Sequence, residues 1–267
     1  VEKEIKNKNG YLYFLDTVRQ KLKSSIENIS SEEDSAILKA MLLGEKEDLK
    51  KVLVIGIPAG IQGAIFSISN VFIQSGINSF GEDAIAGSSL ALNFEYFTYD
   101  IAVAFAQAAV TFTSQNYGAG NLKRCKKIFR LCMLFGIGFT EILSIIFIIW
   151  DDFFVSIYTT SAAVAVYGII RMHHVCLLEG VTATYEVGSA SLRGMGKSIE
   201  PSIITILGTV VFRMIWMVTV FKMVPTYDML MNVYIASWIF TGGAIFVVYF
   251  LHMKNIEANK ALCNTSL

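Results

Sequence analysis

An all-α, polytopic membrane protein is the fold class that this sequence predicts, and three observations predict it. Hydrophobic residues make up 54% of the 267 positions and charged residues only 16%, where a soluble domain carries about 25% charged. The charge is also unevenly placed. Residues 1–51 are rich in Lys, Glu, Asp and Ser, while nearly everything after Val52 is apolar. The apolar part then divides into six stretches of about 20 residues or more, the length that crosses a bilayer as a helix.

Taken in order, residues 1–51 read as a cytoplasmic, amphipathic linker. Tyr11, Leu12, Leu15, Val18, Leu22, Ile26 and Ile29 recur at helical spacing with Lys and Arg between them, which suits a membrane surface or the underside of a bundle. The polar run Asn28–Ser35 is a linker, and a short helix from Ala36 to Lys51 leads into the membrane part, 52–253. Its spans are 52–78, bent by Pro58 between Gly56 and Gly60; 86–115; 128–150, ending at interfacial Trp150; 164–193; 199–221; and 229–252. Residues 254–267 form a tail. The chain opens at Val1 rather than Met, which suggests a fragment or half of something larger.

Loop cations set the orientation. Alternate connections carry Lys50 and Lys51, then Lys123, Arg124, Lys126 and Lys127, then Arg193 and Lys197, then Lys254; the opposite connections hold Lys222 alone among acids. Both termini are therefore expected in the cytoplasm, with short acidic loops outside. Cys125, Cys132, Cys176 and Cys263 form no CxxC pair, and the three histidines add no metal-ligand spacing, so no metal site or disulfide framework is expected. His173-His174 reads as a packed or interfacial pair. The aromatics Tyr96, Phe97 and Tyr99 read as packing residues, and the Lys-Arg run at 123–127 as a topology signal rather than a phosphate site.

Function is carried by charge inside the spans. Glu95, Asp100, Glu141, Arg171, Glu179, Glu186 and Arg213 lie at membrane depth, where each costs roughly 2.5–3.5 kcal/mol. Five acids against two arginines leave three carboxylates without an internal cation. Surplus carboxylates in an apolar site hold protons or attract a cation, so the bundle is expected to respond to H⁺ or Na⁺. Glu179, Thr182, Glu186 and Ser189 share a face if 164–193 is one continuous helix. Their plainer reading is pairing of the glutamates with Arg171 or Arg213, and Glu141 is expected to be a structural partner. Asn93, Asp100, Gln107 and Ser114, spaced by seven, form a second polar stripe, on a face that lines a neighbouring helix or a watery cavity.

Four stretches together resemble the MATE (multidrug and toxic compound extrusion) transporters: Ile55-Gly56-Ile57-Pro58-Ala59-Gly60-Ile61-Gln62, Ala108 to Asn121 with its Gln-Asn-Tyr-Gly-Ala-Gly-Asn core, Ser191-Leu192-Arg193-Gly194-Met195-Gly196-Lys197-Ser198 followed by Pro201, and Arg213 followed by Trp216. They are similar to that family's seventh, eighth, tenth and eleventh helix regions. The resemblance implies two six-helix lobes around a central cavity, of which this chain matches the second. It implies export of organic, often cationic compounds from the cell across the plasma membrane, driven by inward Na⁺ or H⁺, without a cofactor. The family patterns Asn-x-Glu and Glu-Val fall on Asn93 with Glu95 and on Glu186 with Val187. Some sodium-coupled members carry an acid where Thr182 stands, and proton-coupled members often use a first-helix aspartate that this chain lacks.

The resulting expectation is one lobe of a cation-coupled antiporter. Glu95 and Glu186, with Asp100, Glu179, Asn93 and Thr182, form the substrate and cation site, Na⁺ being a candidate at Glu95 and Glu186. Arg171, Arg213 and Glu141 are structural charge partners. The expected partners are an organic cation, membrane lipid, and an N-terminal six-helix lobe or a second copy, with no nucleic acid. A lipid-linked oligosaccharide flippase of the same superfamily would share the topology. An intramembrane enzyme would need a nucleophile–base pair or metal cluster that the spacing does not supply.

Overall fold

The computed structural model describes residues 20–21, 24–25, 64–65 and 67–265. The chain divides into two compact units, Val1–Ile61 and Gln62–Leu267. Of the first, residues 20–21 and 24–25 are helical. The rest of the expected amphipathic helix, the linker at 28–35, the helix at 36–51 and the bend at Pro58 lie outside the described residues.

The second unit is helical throughout its regular structure. Residues 67–78 form α1, followed by α2 (Glu82–Gly118), α3 (Leu122–Ile149), α4 (Asp151–Tyr158) and α5 (Ala162–His174). A 3₁₀ segment, Cys176–Val181, leads into α6 (Thr182–Gly194). Then come α7 (Ile199–Thr205), a π-helical turn at Ile206–Val211, α8 (Phe212–Val218), α9 (Val220–Met223) and α10 (Tyr227–Thr265). The α2–α3 turn is tight because Gly120 adopts φ 71°, open to glycine at little cost. Asn121 then caps α3, its side chain accepting from the Arg124 N–H at 3.1 Å. Pro201 is the third residue of α7, where its missing N–H breaks no helical bond.

Among the described residues, four helical segments are long and apolar enough to cross a membrane: Leu122–Ile149, Ala162–Gly194, Ile199–Met223 and Tyr227–Ala258. With 37 residues α2 is also long enough to span, but Asn93, Glu95, Asp100 and Gln107 dilute its hydropathy. The first expected span is described only at 64–65 and from 67 onward. This is an integral membrane protein, and its outer surface agrees. On α3, Leu134, Phe135, Phe139, Ile142, Ile145 and Ile149 point outward, while Gly136, Thr140 and Ser144 are buried. That inside-out arrangement suits lipid, with small and polar residues at the helix contacts.

Three expected boundaries change. The span at 164–193 is not one helix but two, separated by the 3₁₀ segment, in which Leu178 leaves helical geometry (φ −117°, ψ 19°). The span at 199–221 holds a π-turn and a second interruption at Thr219 (φ −113°, ψ −82°). The last helix continues through the expected tail to Thr265, since after Gly243 no glycine or proline stops it.

Helix α2 is the hub, packed against α3, α5, the 3₁₀ segment and α6, with α10 on the outer flank of α6. Gly87 of α2 and Gly168 of α5 meet backbone to backbone, the close approach that small residues permit. The hub therefore offers one face to the bundle and leaves the other uncovered by the described residues.

Candidate functional site

The two faces of α2 decide which polar residues meet. Ser88, Glu95, Ala102 and Ala109 recur every seven residues and are all buried. Asn93, Asp100, Gln107 and Ser114 also recur every seven and are all exposed. Two positions along a helix turn by about 200°, so Asn93 and Glu95 point to opposite sides although they are neighbours in the sequence. The Asn93 amide turns back onto its own helix, donating to the carbonyls of Ser89 and Leu90 at 3.2 and 3.3 Å. Asp100 stands on the uncovered flank.

On the buried face, Glu95 is held by Arg171 of α5. The guanidinium donates from Nε to Oε1 and from Nη2 to Oε2, the latter at 2.8 Å, and from Nη1 to Ser88 Oγ at 2.6 Å. This two-pronged geometry matches a planar guanidinium to a planar carboxylate. Arg171 is 1% exposed and Glu95 7%, so each charge depends on the other for its solvation. The face of Tyr234, on α10, lies 5.3 Å from the Arg171 guanidinium carbon and 4.6 Å from that of Arg213. Arg213 otherwise donates from Nε to Ser237 Oγ at 3.1 Å. No carboxylate of the described residues lies within 4.0 Å of it.

One helical level further along α2, the break between α5 and α6 places the other acids. Glu179 sits inside the 3₁₀ segment, 4% exposed, and its Oε2 has no hydrogen-bond partner among the described residues. Glu95, Glu141, Arg171 and Arg213 are all within electrostatic reach of it. Thr182 does not join this carboxylate; its hydroxyl donates to the Glu179 backbone carbonyl at 2.5 Å, closing the break. Glu141, from α3, accepts from the Gly180 N–H at 3.1 Å. A methyl on Gly180 would come within 2.6 Å of Glu141 Cγ and Oε1, so any larger residue here must displace the Glu141 side chain. Glu186, half-buried on α6, accepts from the Tyr99 hydroxyl at 2.7 Å.

The residues proposed from sequence thus sort into three places. Glu95 and Arg171 form a closed clasp, which Ser88 completes. Glu141, Glu179 and Glu186 line the break and the first turns of α6 with no guanidinium hydrogen bond. Asn93 and Asp100 lie on the other side of α2. Neither of the pairings expected for Glu179 and Glu186, with Arg171 or Arg213, forms: the Arg171 fork is filled by Glu95, and Arg213 faces Tyr234 and Ser237. Glu141 is anchored by a backbone amide rather than a cation. The histidine pair sits apart, His173 Nε2 at 2.7 Å from Asp151 Oδ2 and His174 Nδ1 at 2.8 Å from the Ile170 carbonyl oxygen.

Tyr99, Ser88, Tyr234, Ser237 and Gly180 are the contributors that sequence reasoning missed. Two carried a signal. Ser88 is seven residues before Glu95 and Tyr99 four after it, so helical spacing alone sets both on the Glu95 face. Among the described residues no group of three His, Cys, Asp or Glu side chains is arranged to hold a metal ion.

Comparison with known proteins agrees with this architecture. The MatE family model matches residues 58–219, more than half of the chain. The probable multidrug resistance protein NorM of Thermotoga maritima is 21% identical over 179 residues, covering 67% of this chain and 39% of that protein. The probable multidrug resistance protein YoeA of Bacillus subtilis is 24% identical over 163 residues, covering 61% and 35%. Among solved structures, the Vibrio cholerae MATE transporter VcmN in its bent form superposes with a TM-score of 0.71 at 18% identity, covering 78% of this chain and 48% of that one. A MOP superfamily transporter from Pyrococcus furiosus gives 0.62 at 19%, covering 85% and 54%. The matched part thus spans less than two fifths of the length of the two curated relatives and about half of each solved chain. With the family model covering both the hub helix and the broken helix that carry the acids, the chain belongs to the MATE family.

Proposed function

We propose that this chain is one lobe of an ion-coupled antiporter that exports organic cations. The observation that carries the reading is Glu179, a buried carboxylate in a broken membrane helix with one oxygen unpartnered among the described residues, followed seven positions on by Glu186, which accepts from the Tyr99 phenol. Interrupted helices facing acids at membrane depth are where transporters of repeat-built folds bind ions. Glu179 and Glu186 take the coupling ion, Na⁺ or H⁺. Glu95, engaged by Arg171, keeps the outer part of the lobe neutral and fixed. The exposed stripe of Asn93, Asp100 and Gln107 faces the cavity that a second lobe would close, and there a cationic substrate meets carboxylate and amide groups. The second lobe is either the preceding part of the same polypeptide or a second copy. Both termini are cytoplasmic on this reading, and the membrane is the plasma membrane.

The test uses vesicles that contain the chain with its complementary half, loaded with a quaternary-amine dye. An imposed Na⁺ or H⁺ gradient drives efflux, and the two gradients distinguish the ion. Glu179→Gln and Glu186→Gln are expected to abolish the gradient-driven component and leave passive leak unchanged. Full gradient-driven efflux in both variants overturns the assignment.

A further inference from the structure

The Lys-rich end of the lobe holds a second feature, distant in sequence from the carboxylates and independent of the transport reading. Helices α3 and α10 border a groove of about 450 Å³ there. Its floor is aromatic: Phe129 and Tyr249 stack with ring centroids 3.9 Å apart and planes 14° from parallel, and Phe250 stands 58% exposed beside them. Its rim is cationic, formed by Lys126, Arg130 and Lys254, with Glu257 as the counter-charge. Lys126 Nζ bonds Glu257 Oε1 at 2.6 Å. Arg130 donates only a long 3.4 Å bond to the Lys126 carbonyl, and Lys254 has no carboxylate within 4.0 Å among the described residues. Two positive charges are therefore left over.

The setting decides which kind of ligand. Beyond the cations the walls continue into outward-facing apolar side chains, Leu131, Leu134 and Phe135 on α3 and Val247 and Leu251 on α10. Cations at the polar boundary above an apolar, lipid-facing strip fit a molecule with an anionic head and hydrocarbon tails.

The geometry points to this groove as a binding site for an anionic phospholipid of the adjacent leaflet. Arg130 and Lys254 receive the phosphodiester, and the acyl chains run past Phe250 over the exposed face of α3 and α10. The Lys-Arg run then does more than set topology, since Lys126 belongs to the site itself.

Binding of phosphatidylglycerol and of phosphatidylcholine to the full chain in detergent, followed by native mass spectrometry, tests this. Phosphatidylglycerol is expected to bind in preference. Arg130→Ala with Lys254→Ala is expected to weaken it about 30-fold, at about 1 kcal/mol per cation near an anionic surface, leaving phosphatidylcholine unchanged. Lys123→Ala with Arg124→Ala removes the same charge from the same end without touching the groove, and is expected to weaken binding far less. Equal losses in the two double variants would mean diffuse attraction and overturn the site. So would equal binding of the two lipids, or displacement of phosphatidylglycerol by millimolar inorganic phosphate.

Discussion

The clasp around Glu95 and the break around Glu179 both border the hub helix α2, yet they treat a buried acid in opposite ways. Glu95 receives two guanidinium bonds, and its partner has a serine and an aromatic face besides. Glu179 keeps an unpartnered oxygen, Glu141 has a single backbone amide, and Glu186 a single phenol. A charge neutralised by a fixed opposite charge is part of the scaffold. A carboxylate whose hydrogen bonds come only from neutral donors can change its protonation or its ligand without breaking a guanidinium fork. The difference separates the part of the lobe that holds shape from the part that can exchange ions.

Breaking the clasp should produce the largest effect. Arg171→Ala leaves Glu95 buried without its counter-charge, and a loss of about 3–5 kcal/mol is expected in thermal unfolding of the detergent-solubilised chain. Replacing both members by apolar residues, Arg171→Met with Glu95→Leu, should recover most of that loss; equal damage from the single and double variants would show that packing, not charge, matters there. A smaller effect is expected at the break. Gly180→Ala forces a methyl against Glu141, and a loss of about 1–3 kcal/mol is expected as the side chain is displaced. Unchanged stability would mean that the Glu141 anchor is loose. Smallest is Tyr99→Phe, which deletes one hydrogen bond to a half-buried acid for about 0.5–1.5 kcal/mol. On the proposed function its larger consequence is a change in the pH dependence of efflux, since Glu186 loses its one donor; an unaltered profile would detach Glu186 from ion exchange.

Much of this arrangement was legible in the sequence. Span length, the acidic surplus and the polar stripe of α2 follow from composition and the periods of a helix, which are local properties. The Glu95–Arg171 pair was not, because its members are 76 residues apart and only the contact between α2 and α5 selects Arg171 over Arg213. The break at 175–181 escaped for a different reason. Val175-Cys176-Leu177-Leu178 is an apolar run that continues a helical pattern, and Gly180 alone hinted at an interruption. Treating 164–193 as continuous then set Glu179 and Glu186 on one face, whereas the 3₁₀ segment turns Glu179 toward Glu141 and the two arginines. Asn93 and Glu95, the two ends of the Asn-x-Glu pattern, fall on opposite faces of α2, since residues two apart on a helix point away from each other.

The unbroken course of α10 has a mechanical consequence. Its 39 residues make a rod of about 58 Å, nearly twice the thickness of the hydrocarbon layer, so its C-terminal turns stand clear of the bilayer. Tilting such a rod by ten degrees would sweep its tip through about 10 Å. A fluorophore near residue 258 would therefore register small rotations of the membrane part as displacements large enough to follow by energy transfer.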